Sequence, residues 1–336
     1  MAREHPLAVS LGDPAGVGPE IIAAAWAARD AEGLPPFFVV GGAAVLTAAA
    51  RRIGLNLAIE RIGDPAEADE AFATALPVVG ADDCDYGPGK PSREGARLAL
   101  ASLTRATELA QAGSAAALVT APIAKSLLQP VGFTAPGQTE FLADACGVSR
   151  ERAVMLLAGP QLKAVPLTVH CALADVPRLI TQDLIVARTR IVAEAMQRDF
   201  GIARPRIAVC ALNPHAGEDG LFGSEDSEVI APAIAALTAE GLAVTGPHPA
   251  DALFAPHMRE TFDVAIAMYH DQALIPVKAL DFDAGVNVTL GLPIVRTSPD
   301  HGTAFGIAGK GEARPGAMIA AIRMAGECAR LRSSQA

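Results

Sequence analysis

Three histidines follow apolar, strand-like segments of the chain. His170 ends the run AVPLTVH, His215 follows RIAVCAL through an Asn-Pro turn, and His270 ends DVAIAMYH. Ligands of open α/β sheets bind beyond the carboxyl ends of the strands, so a fold can bring these side chains into one crevice. Three neutral imidazoles with an open fourth position suit a catalytic divalent metal, either Zn²⁺ or a harder ion. A single strand-end histidine is also explained as a hydrogen-bonded turn residue, so both interpretations stay open.

Acidic residues near these histidines could complete such a site. Asp271 directly follows His270, and Asp251 lies in the segment HPADALF. Either carboxylate could orient a histidine ligand or bind the ion itself. The five cysteines lie far apart and form no Cys-x-x-Cys pair, which argues against a thiolate zinc site and against a disulfide framework.

Candidate anion-binding groups follow His270. Lys278, Asn287 and Arg296 supply two cations and an amide, the groups that bind phosphate or carboxylate. A solvated surface charge is the simpler interpretation of Lys278. Arg296 differs because it ends the apolar run LPIVR, which we predict to be the one clear strand of a segment rich in Gly, Thr, Ser and Asn.

A glycine-rich turn, LGDPAGVGPEII, joins the first predicted strand to the first helix. Glycines allow close backbone approach, and the helix that follows offers free N–H groups to an anion. The spacing is not that of a dinucleotide fingerprint, Gly-x-Gly-x-x-Gly. A tight structural turn and a ligand loop are therefore equally good interpretations.

The elements that must position these residues alternate along the chain. Short apolar runs such as PLAVSL and FFVV precede long Ala- and Leu-rich stretches, which predicts βα units around a largely parallel sheet. The runs at 153–158 and 163–169 are separated by GPQL and predict a hairpin, so we expect a mixed sheet. A break at QPVGFTAPGQTE favours a boundary near residue 130. We expect one α/β domain from residues 1–130 with 302–336, and a second from 131–301.

Composition excludes several classes of protein. The 336 residues carry a formal charge of −10, which argues against nucleic acid as a partner. No apolar run reaches the roughly 18 residues of a membrane span, and MAREHPLAVS has no long apolar signal-peptide core. We therefore expect a cytoplasmic protein without a membrane partner.

Seven strings identify a family resemblance that covers essentially the whole chain. They are GDPAGVGPE, VTAPIAKSLL, PGQTEFLA, LNPHAGEDGLFGSED, MYHDQALIPVK, GVNVTLGLPIVRTSPDHGTAF and IAGKG. In this order they resemble the 4-hydroxythreonine-4-phosphate dehydrogenase family of pyridoxine synthesis. The resemblance implies a fold of the isocitrate/isopropylmalate dehydrogenase type, with two α/β/α domains and an active site in the cleft between them. It also implies a homodimer in which the metal site is shared between subunits.

The resemblance also implies roles for individual residues. The implied metal ligands are His170, His215 and His270. The implied substrate-binding residues are Gln138, Thr139, Lys278, Asn287 and Arg296. The implied dinucleotide loop contains His301, Gly302, Thr303, Ala304 and Gly306. The candidate catalytic residues are Lys278, Asp251 and Asp271.

The chain departs from the family pattern at two of these positions. Gln138 stands where relatives usually carry His, and glutamine can donate a hydrogen bond but cannot carry charge or shuttle a proton. Gly306 stands where relatives of this fold often carry an Asp that favours NAD over NADP. The choice between NAD and NADP therefore does not follow from the sequence.

The implied reaction is oxidation of 4-phosphooxy-L-threonine by NAD or NADP with a divalent metal, Zn, Mg or Co. The product, 2-amino-3-oxo-4-phosphooxybutanoate, would lose CO₂ to give 3-amino-2-oxopropyl phosphate. Related dehydrogenases of 4-phospho-D-threonate or of a cyclic cis-diol dicarboxylate remain alternatives. A three-histidine zinc hydrolase that uses no dinucleotide is the alternative from another class.

Overall fold

The computed structural model describes residues 5–335 and shows an α/β protein. Its strands are β1 (Leu7–Ser10), β2 (Phe37–Val40), β3 (Ile59–Ile62), β4 (Leu76–Val79), β5 (Leu118–Thr120), β6 (Val154–Ala158), β7 (Lys163–Thr168), β8 (Arg206–Cys210), β9 (Ala243–His248), β10 (Val264–Tyr269), β11 (Val286–Leu290) and β12 (Arg296–Pro299).

Helices connect most of these strands. The α-helices are α1 (Gly18–Ala27), α2 (Arg29–Glu32), α3 (Ala43–Arg52), α4 (Ala68–Phe72), α5 (Arg93–Gln111), α6 (Lys125–Leu128), α7 (Gln138–Ala145), α8 (Val176–Leu179), α9 (Gln182–Arg198), α10 (Ala231–Ala239), α11 (Ala250–Leu253), α12 (Pro256–Arg259), α13 (His270–Asp281) and α14 (Gly316–Ser333). Short 3₁₀ turns occur at Pro65–Glu67, Gln129–Val131, Arg150–Arg152, Leu173–Asp175 and Pro214–Gly220, and a π turn at Asp226–Ile230 precedes α10.

The described chain divides into two compact units. The first extends through Arg150 and resumes over Leu292–Ser334. Its strands have the order β3-β4-β2-β1-β5-β12, and each observed pair within it is parallel. Strands β1, β2 and β4 are buried along their whole length, as expected for parallel strands covered on both faces.

The second unit spans Glu151–Gly291 and has the strand order β11-β6-β7-β10-β8-β9. Strand β6 is antiparallel to both β7 and β11, which confirms the predicted hairpin. Strands β7, β10, β8 and β9 follow as parallel neighbours. The predicted mixed, largely parallel α/β fold is therefore correct.

Local sequence signals explain where the long helices begin. The Ser92 hydroxyl accepts a hydrogen bond from the Gly95 N–H at 3.0 Å and caps α5. The Thr181 hydroxyl caps α9 in the same way through the Leu184 N–H at 3.1 Å. Buried small and apolar residues recur every three or four positions along both helices, so each packs one face into the core.

The strand prediction near the carboxyl end needs a correction. The structure places strands at Val286–Leu290 and Arg296–Pro299, whereas the predicted strand LPIVR mostly precedes the second of these. The run VNVTL forms a strand because its β-branched residues pair with β6 along five positions. Leu292, Ile294 and Val295 before Arg296 are buried, but they form the connection into β12.

The unit boundaries differ from the expected ones. We expected breaks near residues 130 and 301, and the units instead divide after Arg150 and after Gly291. The Pro- and Gly-rich segment stays with the first unit because Leu128, Phe133 and Phe141 pack with α5 in one apolar cluster. Residues 1–4 and 336 of the expected ranges lie outside the described residues.

Helix α14 packs against β12 and α1 of the first unit. No helix within residues 5–335 is long and apolar enough to cross a membrane.

Asp13 provides a test of buried charge in the turn after β1. Its side chain is 2% exposed, and burial raises the pKa of its carboxyl even though the Ala15 N–H donates to Oδ1 at 2.9 Å. Because the pKa in the folded state lies above that in the unfolded state, stability is lost as the pH rises through the folded-state value. We expect D13N to gain melting temperature relative to the wild type as the pH rises from about 4 to about 8.

Calorimetry of both proteins across this pH range tests this expectation. D30N, at an exposed carboxylate, is the control for loss of one negative charge. A difference in melting temperature that stays flat or falls with pH contradicts it.

Candidate functional site

The three histidines lie at the carboxyl edge of the second unit's sheet. His170 lies two residues beyond β7, and His270 is the first residue of α13, directly after β10. His215 lies five residues beyond β8, in a 3₁₀ turn. Strands β7, β10 and β8 are parallel neighbours, so their connections to the next elements leave from the same edge.

Two side chains that sequence analysis missed hold this edge together. The Thr168 hydroxyl at the end of β7 donates to the Met268 carbonyl of β10 at 2.8 Å. Gln272 accepts from the Met268 N–H at 2.7 Å and donates to the Ala211 carbonyl beyond β8 at 2.8 Å. These bonds fix the ends of β7, β10 and β8 relative to one another. The sequence signal for Gln272 is its place in the first turn of a helix that follows a buried strand.

His170 and His270 face each other. Their ring centroids are 5.9 Å apart with an interplanar angle of 39°. Two imidazoles on one tetrahedral ion have centroids about 5 Å apart when each metal–nitrogen bond is about 2.0 Å. The pair therefore fits two ligands of one ion with a small adjustment.

Asp271 orients the second ring of this pair. His270 Nδ1 lies 2.7 Å from Asp271 Oδ1, which leaves Nε2 of the same ring available to an ion. The pair lines a cavity of about 240 Å³. The residues around this cavity are Thr168, Val169, His170, Cys171, Leu173, Val176, Tyr269, His270 and Asp271.

His215 does not join the pair. Within residues 5–335, no three His, Cys, Asp or Glu side chains gather closely enough to hold a metal ion. The ring of His215 instead lies near Phe222, with centroids 6.3 Å apart. One chain thus brings together two of the three predicted ligands.

The backbone around His215 is left-handed. Residues 215–219 have φ between 40° and 81°, and four of the five are not glycine. Left-handed backbone costs a non-glycine residue roughly 1–2 kcal/mol. His170 also has a positive φ, of 42°. Strained backbone of this kind is typical of functional sites, where surrounding contacts hold it.

A buried carboxylate, Asp226, holds the entrance to the left-handed turn. Its side chain is 1% exposed and accepts hydrogen bonds from the Leu212 N–H at 2.8 Å and the Asn213 N–H at 3.1 Å. The Asn213 side-chain amide donates to the same carboxylate at 3.0 Å and to Glu225 at 2.8 Å. The sequence gives no distinct signal for Asp226, because an acid in a helical first turn is also typical of an ordinary exposed cap.

The first unit contributes a buried cation. Arg296, the first residue of β12, is 3% exposed and donates to the Thr120 hydroxyl at 2.7 and 3.1 Å. It also donates to Gln138 Oε1 at 2.6 Å. Burial lowers the pKa of Arg296 to about 10, against the charge of Glu140, which raises it. The guanidinium therefore stays charged at neutral pH.

Gln138 acts here as an acceptor. Its side-chain oxygen also accepts from the Thr120 hydroxyl at 2.9 Å, while its amide donates to the Ala121 carbonyl at 3.3 Å. Gln138 begins α7, and Thr139 follows it in the first turn, half-buried. Gln138 thus supplies a neutral oxygen that holds Arg296 in place.

Lys278 and Asn287 belong to the second unit. Lys278 is half-buried on α13, seven residues after Asp271 and thus on the same face of that helix. The Asn287 side-chain oxygen is buried in β11 and finds no hydrogen-bond partner among the described residues. Asp251 is exposed in the first turn of α11, the helix that follows β9. It is separate in sequence from His170 and His270.

The segment 301–306 of the first unit is largely open. Its residues His301, Gly302, Ala304 and Gly306 are exposed, and His301 Nδ1 lies 3.0 Å from the Gly302 carbonyl. No atom lies within 4 Å of where a β-carbon would stand at Gly302 or Gly306. Thr303 is half-buried. This loop has free surface on which a ligand could rest.

Replacing Asp226 tests how the His215 turn is held. We expect D226A to lower the free energy of unfolding by about 3 kcal/mol, because it leaves the part-buried N–H groups of Leu212 and Asn213 without an acceptor. Urea unfolding measures this loss. The control is S227A, which changes the next residue, an exposed one. It should change stability by less than about 0.5 kcal/mol. Equal effects of the two variants would contradict the role of Asp226 in holding the turn.

Comparison with known proteins places the chain in one family. The family model for pyridoxal phosphate biosynthetic protein PdxA matches residues 34–325. A 4-hydroxythreonine-4-phosphate dehydrogenase of Erythrobacter litoralis is 66% identical over 330 residues, which cover 98% of each chain. The crystal structure of a protein of that name from Klebsiella pneumoniae is 39% identical with a TM-score of 0.87, covering 97% of this chain and 100% of the other.

A more distant solved structure extends the comparison. It is a terephthalate 1,2-cis-dihydrodioldehydrogenase from Burkholderia xenovorans, 30% identical with a TM-score of 0.65, and the alignment covers 97% of this chain and 98% of the other. The family match spans most of the chain, and the similar proteins carry dehydrogenase names. The chain therefore belongs to the pyridoxal phosphate biosynthetic protein PdxA family, a family of oxidoreductases.

Proposed function

We propose that the chain oxidises 4-phosphooxy-L-threonine at its secondary alcohol, with NAD or NADP as hydride acceptor and a divalent cation. The observation that carries this proposal is the facing pair His170 and His270, oriented by Asp271, in a member of a dehydrogenase family. The name of the relative at 66% identity supports the substrate. We place the protein in the cytoplasm.

The bound groups supply what side chains lack. His170 and His270 would hold a divalent cation, Zn, Mg or Co, which would supply Lewis acidity toward a substrate hydroxyl. The loop that contains His301, Gly302, Thr303, Ala304 and Gly306 would hold the dinucleotide, which would supply the oxidising power.

In this proposal, a few charged and polar side chains bind and orient the substrate. Arg296, held by Thr120 and Gln138, offers a fixed guanidinium to phosphate or carboxylate. Lys278 adds a second cation, and Asn287 offers a buried oxygen that a substrate ammonium or hydroxyl can satisfy. In this proposal Thr139 adds a hydroxyl beside Gln138.

Proton transfer completes the oxidation. Asp251, or Lys278 in its neutral amine form, would take the hydroxyl proton, and a bound dinucleotide would supply the two-electron oxidation that converts the alcohol to a ketone. Asp271 already contacts His270 and acts by orienting that ring. The product, 2-amino-3-oxo-4-phosphooxybutanoate, is a β-keto acid. Its carbon–carboxylate bond breaks with the electrons moving to the ketone, which gives CO₂ and 3-amino-2-oxopropyl phosphate.

One comparison favours a second candidate substrate. The related cis-dihydrodiol dehydrogenase acts, by its name, on a cyclic diol of terephthalate. Gln138 binds Arg296 through a neutral oxygen, an arrangement that also suits a carboxylate. A dehydrogenase of a cyclic cis-diol dicarboxylate is therefore the second candidate, ahead of one for 4-phospho-D-threonate.

A substrate panel tests the proposed activity. We expect absorbance at 340 nm to rise with 4-phosphooxy-L-threonine and either NAD or NADP, and a chelator to abolish the rise. Preference for a cis-diol dicarboxylate would favour the second candidate. No reduction of dinucleotide with any alcohol would contradict the proposal and favour a three-histidine zinc hydrolase.

Replacing Arg296 tests the anion-binding group separately. R296K keeps the charge but loses the planar, bidentate geometry, so we expect the KM for the phosphorylated substrate to rise about 100-fold while the KM for dinucleotide changes little. R105Q, which removes an exposed cation of the first unit, is the control. Equal KM effects on both substrates would contradict this role.

In this proposal, the third histidine ligand, His215, comes from a second subunit of a homodimer. The large apolar side chains most exposed among the described residues all belong to the second unit: Val169, Leu173, Leu179, Leu221, Phe222, Ile275 and Phe282. Several flank the histidines in sequence. Exposed apolar side chains beside the histidines in sequence favour an interface, and we propose a homodimer in which His215 of a second copy completes the His170–His270 pair of the first.

Mixed dimers test this arrangement. We expect H215A and H270A homodimers to lose metal and activity. A heterodimer of the two variants should regain about half of the wild-type activity, since one of its two sites has all three histidines. A heterodimer as inactive as its parents would contradict the sharing of the site between subunits.

A further inference from the structure

Gly309 is held at both of its backbone polar groups by charged side chains. Its N–H donates to Glu20 Oε2 at 2.8 Å, and its carbonyl accepts from Arg52 Nε at 3.0 Å. Its φ is +70°, and a β-carbon there would lie 2.7 Å from Pro88. Only glycine fits at this position. Side chains of α1 and α3 form hydrogen bonds to its two backbone polar groups.

The other end of the same loop is also fixed. The Val17 N–H donates to the Thr303 carbonyl at 2.9 Å. A β-carbon at Gly16 would lie 2.7 Å from that carbonyl oxygen, so the two backbones are in close contact. Between these anchors, Gly306 has open space around it. The loop is therefore held at its ends and free in its middle, where the ligand is proposed to lie.

Glu20 is a buried carboxylic acid, which is an unusual side chain for a contact that is only structural. It lies in the first turn of α1 and is 2% exposed. Burying a carboxylate is unfavourable unless hydrogen bonds satisfy it. Its Oε1 finds no hydrogen-bond partner among the described residues, while Oε2 accepts from Gly309. Burial raises the pKa of Glu20, and the Gly309 N–H opposes that rise.

We propose that Glu20 and Arg52 are positioning residues for the dinucleotide: by clamping the Gly309 peptide they hold residues 301–309 in the conformation that binds it. This inference rests on the proposed function, because it assigns the dinucleotide to that loop. It also gives the glycine-rich turn after β1 a role, since this turn leads into α1, which carries Glu20, and its Val17 N–H anchors Thr303.

Kinetics of variants separate positioning from a general loss of stability. We expect E20A to raise the KM for NAD or NADP about tenfold or more, with kcat within about twofold of wild type and the KM for the phosphorylated substrate unchanged. E20Q should stay within about threefold of wild type, because its amide oxygen can still accept the Gly309 N–H. R52A should raise the same KM about threefold, since Arg52 is exposed.

Hydrogen exchange gives a second measurement that needs no activity. We expect amides within 301–311 to exchange faster in E20A than in E20Q, while the strands keep their protection. R51A, which removes the neighbouring exposed cation of α3, is the matched control for R52A and should leave KM and exchange unchanged.

The outcomes are separable. If E20A lowers kcat and raises both KM values alike, or speeds exchange throughout the first unit, the positioning role is overturned. If E20Q behaves as E20A, the hydrogen bond to Gly309 is not the cause and the inference also fails. If the wild type reduces no dinucleotide, the proposed function fails, and the exchange of 301–311 alone then decides whether the clamp exists.

Discussion

The parallel alignment of β7, β10 and β8 is the constraint on which the candidate metal site depends. Parallel neighbours send their connections out from the same edge, so residues 45 and 55 positions apart in sequence arrive at one end of the sheet. The Thr168 and Gln272 side chains then fix the strand ends by bonding to Met268 and Ala211. The facing of His170 and His270 follows from this alignment.

Three buried charged side chains with defined hydrogen-bond partners fix other parts of the structure. Arg296, Asp226 and Glu20 are each almost fully buried, and each binds uncharged donors or acceptors of the surrounding chain. Such charges are costly without their partners, so each one fixes the local backbone firmly. An overall charge of −10 is compatible with the proposed anionic substrate, because the role proposed for Arg296 is local rather than an effect of the net charge.

The sequence predicted the parts of the fold that depend on local pattern. Apolar runs and the short GPQL connection identified the βα alternation and the β6–β7 hairpin. The strand VNVTL was missed, because its identity depends on pairing with β6 rather than on its own alternation. The unit boundary near residue 150 was also missed, because Phe133 and Phe141 join the first core in spite of the Pro- and Gly-rich sequence around them.

The candidate site residues also divide into those that the sequence indicates and those that it does not. Position after a strand identified the histidines, and the resemblance added Gln138 and Thr139. The left-handed turn at 215–219 and its anchor Asp226 could not be inferred, because residues such as Ala216 and Glu218 give no local signal for positive φ. Nor could the sequence show that His215 lies apart from the other two within one chain.

The most direct test of this account is anomalous diffraction from crystals loaded with Co²⁺, recorded at the cobalt absorption edge. We expect one strong peak per subunit, bounded by His170 and His270 of one chain and by His215 of a second copy. A peak bounded by all three histidines of a single chain, or one remote from the His170–His270 pair, would contradict it.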